Sequence, residues 1–101
     1  MKMPDDPILL ELMPELIETW VDDINQKFDL YYESRDTKEM YRLAHTIKGS
    51  CSQFALDEIS QVGIEMLQKV KNSDWDSIYP YKKKLLDKFE EVRVILEKMD
   101  N

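Results

Sequence analysis

Glycine occurs only at Gly49 and Gly63, and of the four prolines only Pro80 lies beyond residue 14. A chain so short of turn-forming residues has few places to reverse, which favours a small number of long helices over many short strands. The apolar residues agree. Leu16, Ile17, Trp20, Ile24, Phe28 and Tyr31 recur every three to four residues, as do Met40, Leu43, Ala44, Ile47, Cys51 and Phe54. A further stripe of Ile59, Val62, Met66 and Val70 runs between about Asp57 and Lys71. The last joins Ile78, Leu85, Phe89, Val92, Leu96 and Met99 in a near-heptad seam.

The breaks between stripes carry helix-end chemistry. Ser34-Arg35-Asp36 closes one helix, and Asp36 with Glu39 forms an aspartate version of the capping box that opens the next. Asn72-Ser73-Asp74 is a second break, and Pro80 falls near the first turn of the last helix, where a missing N–H matters least. At the N-terminus Asp6-Pro7 caps a short helix through Ile8, Leu9, Leu10 and Leu12, after which Pro14 either kinks the chain or opens the next helix. The pattern predicts an all-α fold. It is an antiparallel up-down four-helix bundle with a short extra N-terminal helix, forming a single domain over residues 1–101.

Composition narrows the function classes. The net charge is −7, with 14 basic residues against 21 acidic ones, and the densest basic run, Lys82-Lys83-Lys84, is followed by Asp87, Glu90 and Glu91 at helical spacing. That run reads as a solvated helix face, so no nucleic acid is expected as a partner. The N-terminus has no secretory leader pattern, and no apolar stretch approaches the ~20 residues of a membrane span. One cysteine, Cys51, cannot form an internal disulfide, which fits a reducing compartment. The expected setting is cytoplasmic, with no membrane association.

The one histidine sits where its chemistry is available. On the helix that follows Asp36 the apolar stripe centres slightly behind Ala44, about 50° back, which turns His45 roughly 150° from the core at about 100° per residue. Tyr41, Arg42, Lys48, Gly49 and Ser52 surround it at intervals of three, four and seven residues. An exposed imidazole is a competent nucleophile near neutral pH. Lys48 would place a positive charge beside any phosphoryl group attached to it. A mid-helix glycine costs about 0.5–1 kcal/mol relative to alanine, so Gly49 implies that something must come close there. Each residue alone has an ordinary explanation: a surface histidine, a surface lysine, a glycine at a helix crossing. Gly49 lies on the outer face, which weakens the last of these, whereas Gly63 neighbours an inner face and is expected to mark close helix packing. Cys51 belongs to the core stripe and is expected to be inert.

The segment Ala44-His45-Thr46-Ile47-Lys48-Gly49-Ser50-Cys51-Ser52-Gln53-Phe54 resembles the signature of histidine-containing phosphotransfer (HPt) domains. That signature is a helix with His, a hydrophobic residue two on, then Lys-Gly and small residues. The resemblance implies that His45 accepts a phosphoryl group from an aspartyl phosphate of a receiver domain and passes it to another receiver. It further implies that Lys48 stabilises phosphohistidine, that Gly49 gives access, and that Tyr41, Arg42, Ser52 and Gln53 lie in the docking surface. The implied partners are receiver domains of response regulators and a hybrid sensor kinase, all on separate chains, and the protein itself is expected to be a monomer. No metal or cofactor is expected on this chain; Mg2+ is expected on the receiver.

Two positions depart from the family. Members commonly have glycine ten residues after the histidine, where this chain has Ala55, so the turn is expected to be made differently or extended. Several also carry a polar residue on the facing helix that hydrogen-bonds the imidazole, and the helical register places Leu67 there. Three rivals have less support. A sensor-kinase phosphoacceptor domain usually has an acid after its histidine, here Thr46, and two glycines make no phosphate-binding loop, so no autokinase activity is expected. A non-phosphorylated helical adaptor, or a degenerate HPt domain, would act by docking alone. A metal site lacks ligands, since Arg42 replaces the glutamate of a Glu-x-x-His pair.

Overall fold

A computed structural model describes residues 2–99, so Met1, Asp100 and Asn101 at the ends of the expected 1–101 domain lie outside the described residues. Its helices are α1 (Pro7–Glu33), α2 (Thr37–Gln53), α3 (Asp57–Lys71), the single turn α4 (Trp75–Ile78) and α5 (Pro80–Met99). The four long helices form the expected helical bundle. Ion pairs bridge antiparallel neighbours: Lys82 Nζ near the start of α5 reaches Asp29 Oδ2 near the end of α1 at 2.9 Å, and Lys88 Nζ in the middle of α5 reaches Glu58 Oε1 at the start of α3 at 3.3 Å. The other two members of the lysine run are also engaged, Lys83 with Asp87 at 2.7 Å and Lys84 over the Tyr81 ring at 4.6 Å.

The core is the set of stripes folded inward. Met13, Ile17, Trp20, Ile24 and Phe28 of α1 face Met40, Leu43, Ala44, Ile47 and Cys51 of α2, with Ile59, Met66, Leu67 and Val70 from α3. Leu85, Phe89, Val92 and Leu96 of α5 close it. Rings lock the centre, Trp20 lying edge-on to Phe54 at 5.9 Å and tilted against Phe89 at 5.5 Å. Met99, expected on the same seam, is 53 % exposed, because the seam runs off the end of the bundle there.

The short N-terminal helix is not a separate element. It forms the first turns of α1, which runs unbroken through Pro14. Pro14 faces solvent while Met13 and Ile17 on either side of it are buried, so packing holds the helix across the one hydrogen bond that proline cannot donate. Asp6 is the N-cap, accepting from the Ile8 N–H at 2.9 Å, with Pro7 at the first helical position. After the break at Asn72-Ser73-Asp74 the chain makes the single turn α4, and Pro80, expected near the first turn of the last helix, stands at the first position of α5.

The three helix-ending turns share one construction. Arg35, Ala55 and Ser73 adopt φ of 55°, 57° and 52°, and neither glycine is used this way. At each, the following N–H reaches back to a carbonyl five residues earlier: Asp36 to Tyr31, Leu56 to Cys51, Asp74 to Lys69, at 3.0, 2.8 and 3.0 Å. That following residue is also the N-cap of the next helix. Ala55 therefore makes the α2–α3 turn in the left-handed conformation suited to glycine, and the turn is neither rebuilt nor extended.

Candidate functional site

Helix α2 presents its outer face through the residues left over from the core stripe. Asp36 caps it, its carboxylate accepting from the Glu39 N–H at 3.1 Å. The Glu39 side chain, instead of closing a reciprocal box, pairs with Arg42 Nη1 at 3.1 Å, because the Asp36 N–H is already bonded to Tyr31. His45 is exposed, as the periodicity predicts, and so are Arg42, Gly49, Ser52 and Gln53. Tyr41 is half-buried and packs against the core.

Two features around His45 add to what the sequence suggests. The Tyr41 and His45 rings stack, with centroids 6.1 Å apart and planes inclined by 16°. Side chains on a helix lean toward its N-terminus, so an imidazole at 45 settles over the turn that carries Tyr41. By the same lean, a side chain at 49 would settle over His45. Gly49 supplies none, and a Cβ built there has nothing within 4 Å. This glycine is not a helix crossing.

The second feature is the way α3 grips the backbone of α2 at Lys48. A Cβ on Gly63 would stand 3.1 Å from Lys48 Cβ, 3.2 Å from its Cα and 3.3 Å from its N, so Gly63 is the close-packing glycine the sequence suggests. One turn away the Ser60 hydroxyl donates to the Lys48 carbonyl at 3.1 Å. Ser60 is the one buried polar residue among the described residues, and this bond satisfies it. The signal for it in sequence is slight, a serine on the edge of an apolar stripe. With its stem against Gly63, Lys48 is half-buried, and its ammonium has no carboxylate partner among the described residues. The register set by Gly63 carries Leu67, buried on α3, to the level of Ala44 and His45.

The remaining reactive group is remote from this face. Cys51 is fully buried, and burial pushes its thiol up to about 12. Among the described residues no group of three or more His, Cys, Asp and Glu side chains is arranged to hold a metal ion, and no helix is long and apolar enough to cross a membrane.

The family model for the Hpt domain matches residues 7–100, nearly the whole chain. The chain belongs to the Hpt domain family. No curated protein and no solved structure matches it at a significant level. Hpt domains are helical bundles that work with receiver domains in phosphorelays through histidine phosphotransfer, and α2 of this Hpt domain carries the single histidine of the sequence.

Proposed function

We propose that this Hpt domain is a phosphorelay intermediate with His45 as its phosphoacceptor. The observation that carries the reading is the site's asymmetry: an exposed imidazole on α2 with no side chain and no neighbour within 4 Å of the position one turn beyond it, Gly49. A ring nitrogen of His45 attacks the phosphorus of a receiver's aspartyl phosphate, the N–P bond forming as the P–O bond to the aspartate breaks and its carboxylate leaves. The reverse sequence delivers the group to the aspartate of a second receiver. Lys48, with no competing carboxylate among the described residues, places its ammonium beside the phosphoryl oxygens and stabilises phosphohistidine. Positioning and charge stabilisation dominate phosphoryl transfer, and here most of both come from the receiver and its Mg2+.

Arg42, Ser52 and Gln53 surround His45 on the docking face with Tyr41. A hybrid sensor kinase and response-regulator receivers are the partner classes, and the domain acts as a cytoplasmic monomer that carries phosphate and does not itself phosphorylate from a nucleotide. Incubation with a phosphorylated receiver should put acid-labile, base-stable phosphate on the protein. His45→Gln should abolish the label while the helical circular dichroism stays unchanged. Label retained in that variant would place the acceptor elsewhere. Receiver binding that persists with no label on the unaltered protein would favour the docking adaptor.

A further inference from the structure

We propose that Tyr41 is a positioning residue for His45, its ring acting as a platform that fixes the orientation of the imidazole. This rests on the reading of His45 as phosphoacceptor. Among the described residues the stack is the one specific interaction of the imidazole: no hydrogen bond or ion pair holds it. On the facing helix the side chain at its level is Leu67, which has no polar atom to offer. An exposed histidine with no partner samples several χ1 wells and a broad χ2, and only a fraction of those conformers present a nitrogen in line with an incoming phosphorus.

The geometry suits a support that does not compete with the chemistry. A centroid separation of 6.1 Å and a 16° inclination fall within the range of offset stacking. The lone pairs of imidazole lie in the plane of the ring, so covering a face leaves both nitrogens free to react. Tyr41 is itself held, since it is half-buried and packed against the core. The imidazole thus has a fixed surface on the Tyr41 side and open space toward Gly49, where a Cβ would meet nothing within 4 Å. Support comes from one turn and access from the other.

The test separates orientation from docking by using two phosphodonors, a phosphorylated receiver and phosphoramidate, which needs no docking surface. Tyr41→Leu should lower the rate of His45 labelling from both donors by about tenfold, whereas Tyr41→Phe, which keeps the ring, should stay within about twofold. Tyr41→Met serves if the leucine variant melts early. The His45 ring C–H proton resonances should carry an aromatic ring-current shift in the unaltered protein and in Tyr41→Phe, and lose it in Tyr41→Leu. Unchanged labelling by phosphoramidate in Tyr41→Leu would overturn the positioning role, leaving at most a docking contact if receiver transfer alone slows. Absence of the ring-current shift from the unaltered protein would overturn it too. Failure of His45 to take label from either donor would instead sink the phosphoacceptor reading and this role with it, while the ring-current measurement still reports whether the rings stack.

Discussion

Gly49 and Gly63 are both helical glycines, and the same substitution should have opposite effects at the two. Alanine at Gly49 meets open space and removes the backbone entropy penalty of a mid-helix glycine. Gly49→Ala should raise stability by about 0.5–1 kcal/mol in urea denaturation. Alanine at Gly63 meets backbone and Cβ of Lys48 at 3.1–3.3 Å, where a flexible side-chain tip could yield but a helix backbone cannot. Gly63→Ala should lower stability by about 1–3 kcal/mol, the usual range for overpacking. On the proposed access role, longer side chains at 49 should affect function in place of stability: Gly49→Gln should leave the bundle folded and slow phosphotransfer by an order of magnitude, measured against a phosphorylated receiver. Lys48→Ala should shorten the phosphohistidine lifetime about fivefold without unfolding the protein, consistent with a partly solvated charge contact. Cys51, with its thiol pushed up to about 12 by burial, should resist thiol reagents at neutral pH until the protein unfolds.

At the scale of elements, the stripes and caps were legible because each is local. Asp6, Asp36 and Asp74 announce helix starts by offering a side-chain oxygen to an early N–H, and all three accept such a bond. The turn at Ala55 was less legible, because its conformation opposes the preference of the residue that occupies it. What decides it is Leu56, which is fully buried and can reach the core only if Ala55 turns left-handed while its own N–H bonds back to Cys51. Ala55→Gly should therefore stabilise the protein by about 1 kcal/mol, seen as a rise in melting temperature. The same change at Arg35 should give almost no gain. There the relief of strain is offset by loss of a guanidinium that lies 4.5 Å over the Tyr32 ring and donates to the Tyr32 carbonyl at 2.8 Å. Pro14 is a comparable case. Its continuity with α1 depends on Met13 and Ile17 both finding places in the core, which no local rule supplies.

Across the whole molecule, α1 spans about 40 Å, nearly the full 43 Å length of the particle, while α2 and α3 are shorter. Lys2 to Asp6 line a surface groove together with Ala55 and Asp57, and Pro4 is buried, so the N-terminal segment runs alongside the α2–α3 turn. The bundle, the exposure of His45 and the contrast between the two glycines could be argued from periodicity, since each asks only which way a side chain points. The Ser60 bond and the Tyr41 stack could not, because they depend on how far apart two helices sit and on which rotamer a ring takes. Helix α2 is attached to its neighbours by its apolar stripe and by the backbone grip at Lys48, and Arg42, Ser52 and Gln53 contribute to neither. If the proposed docking face is right, partner choice and foldability are written on different letters of the same helix. Exchanging those three side chains should redirect the protein among cognate regulators while leaving its melting behaviour almost untouched, so lineages that duplicate such a carrier can diverge in wiring without first having to repair a damaged scaffold.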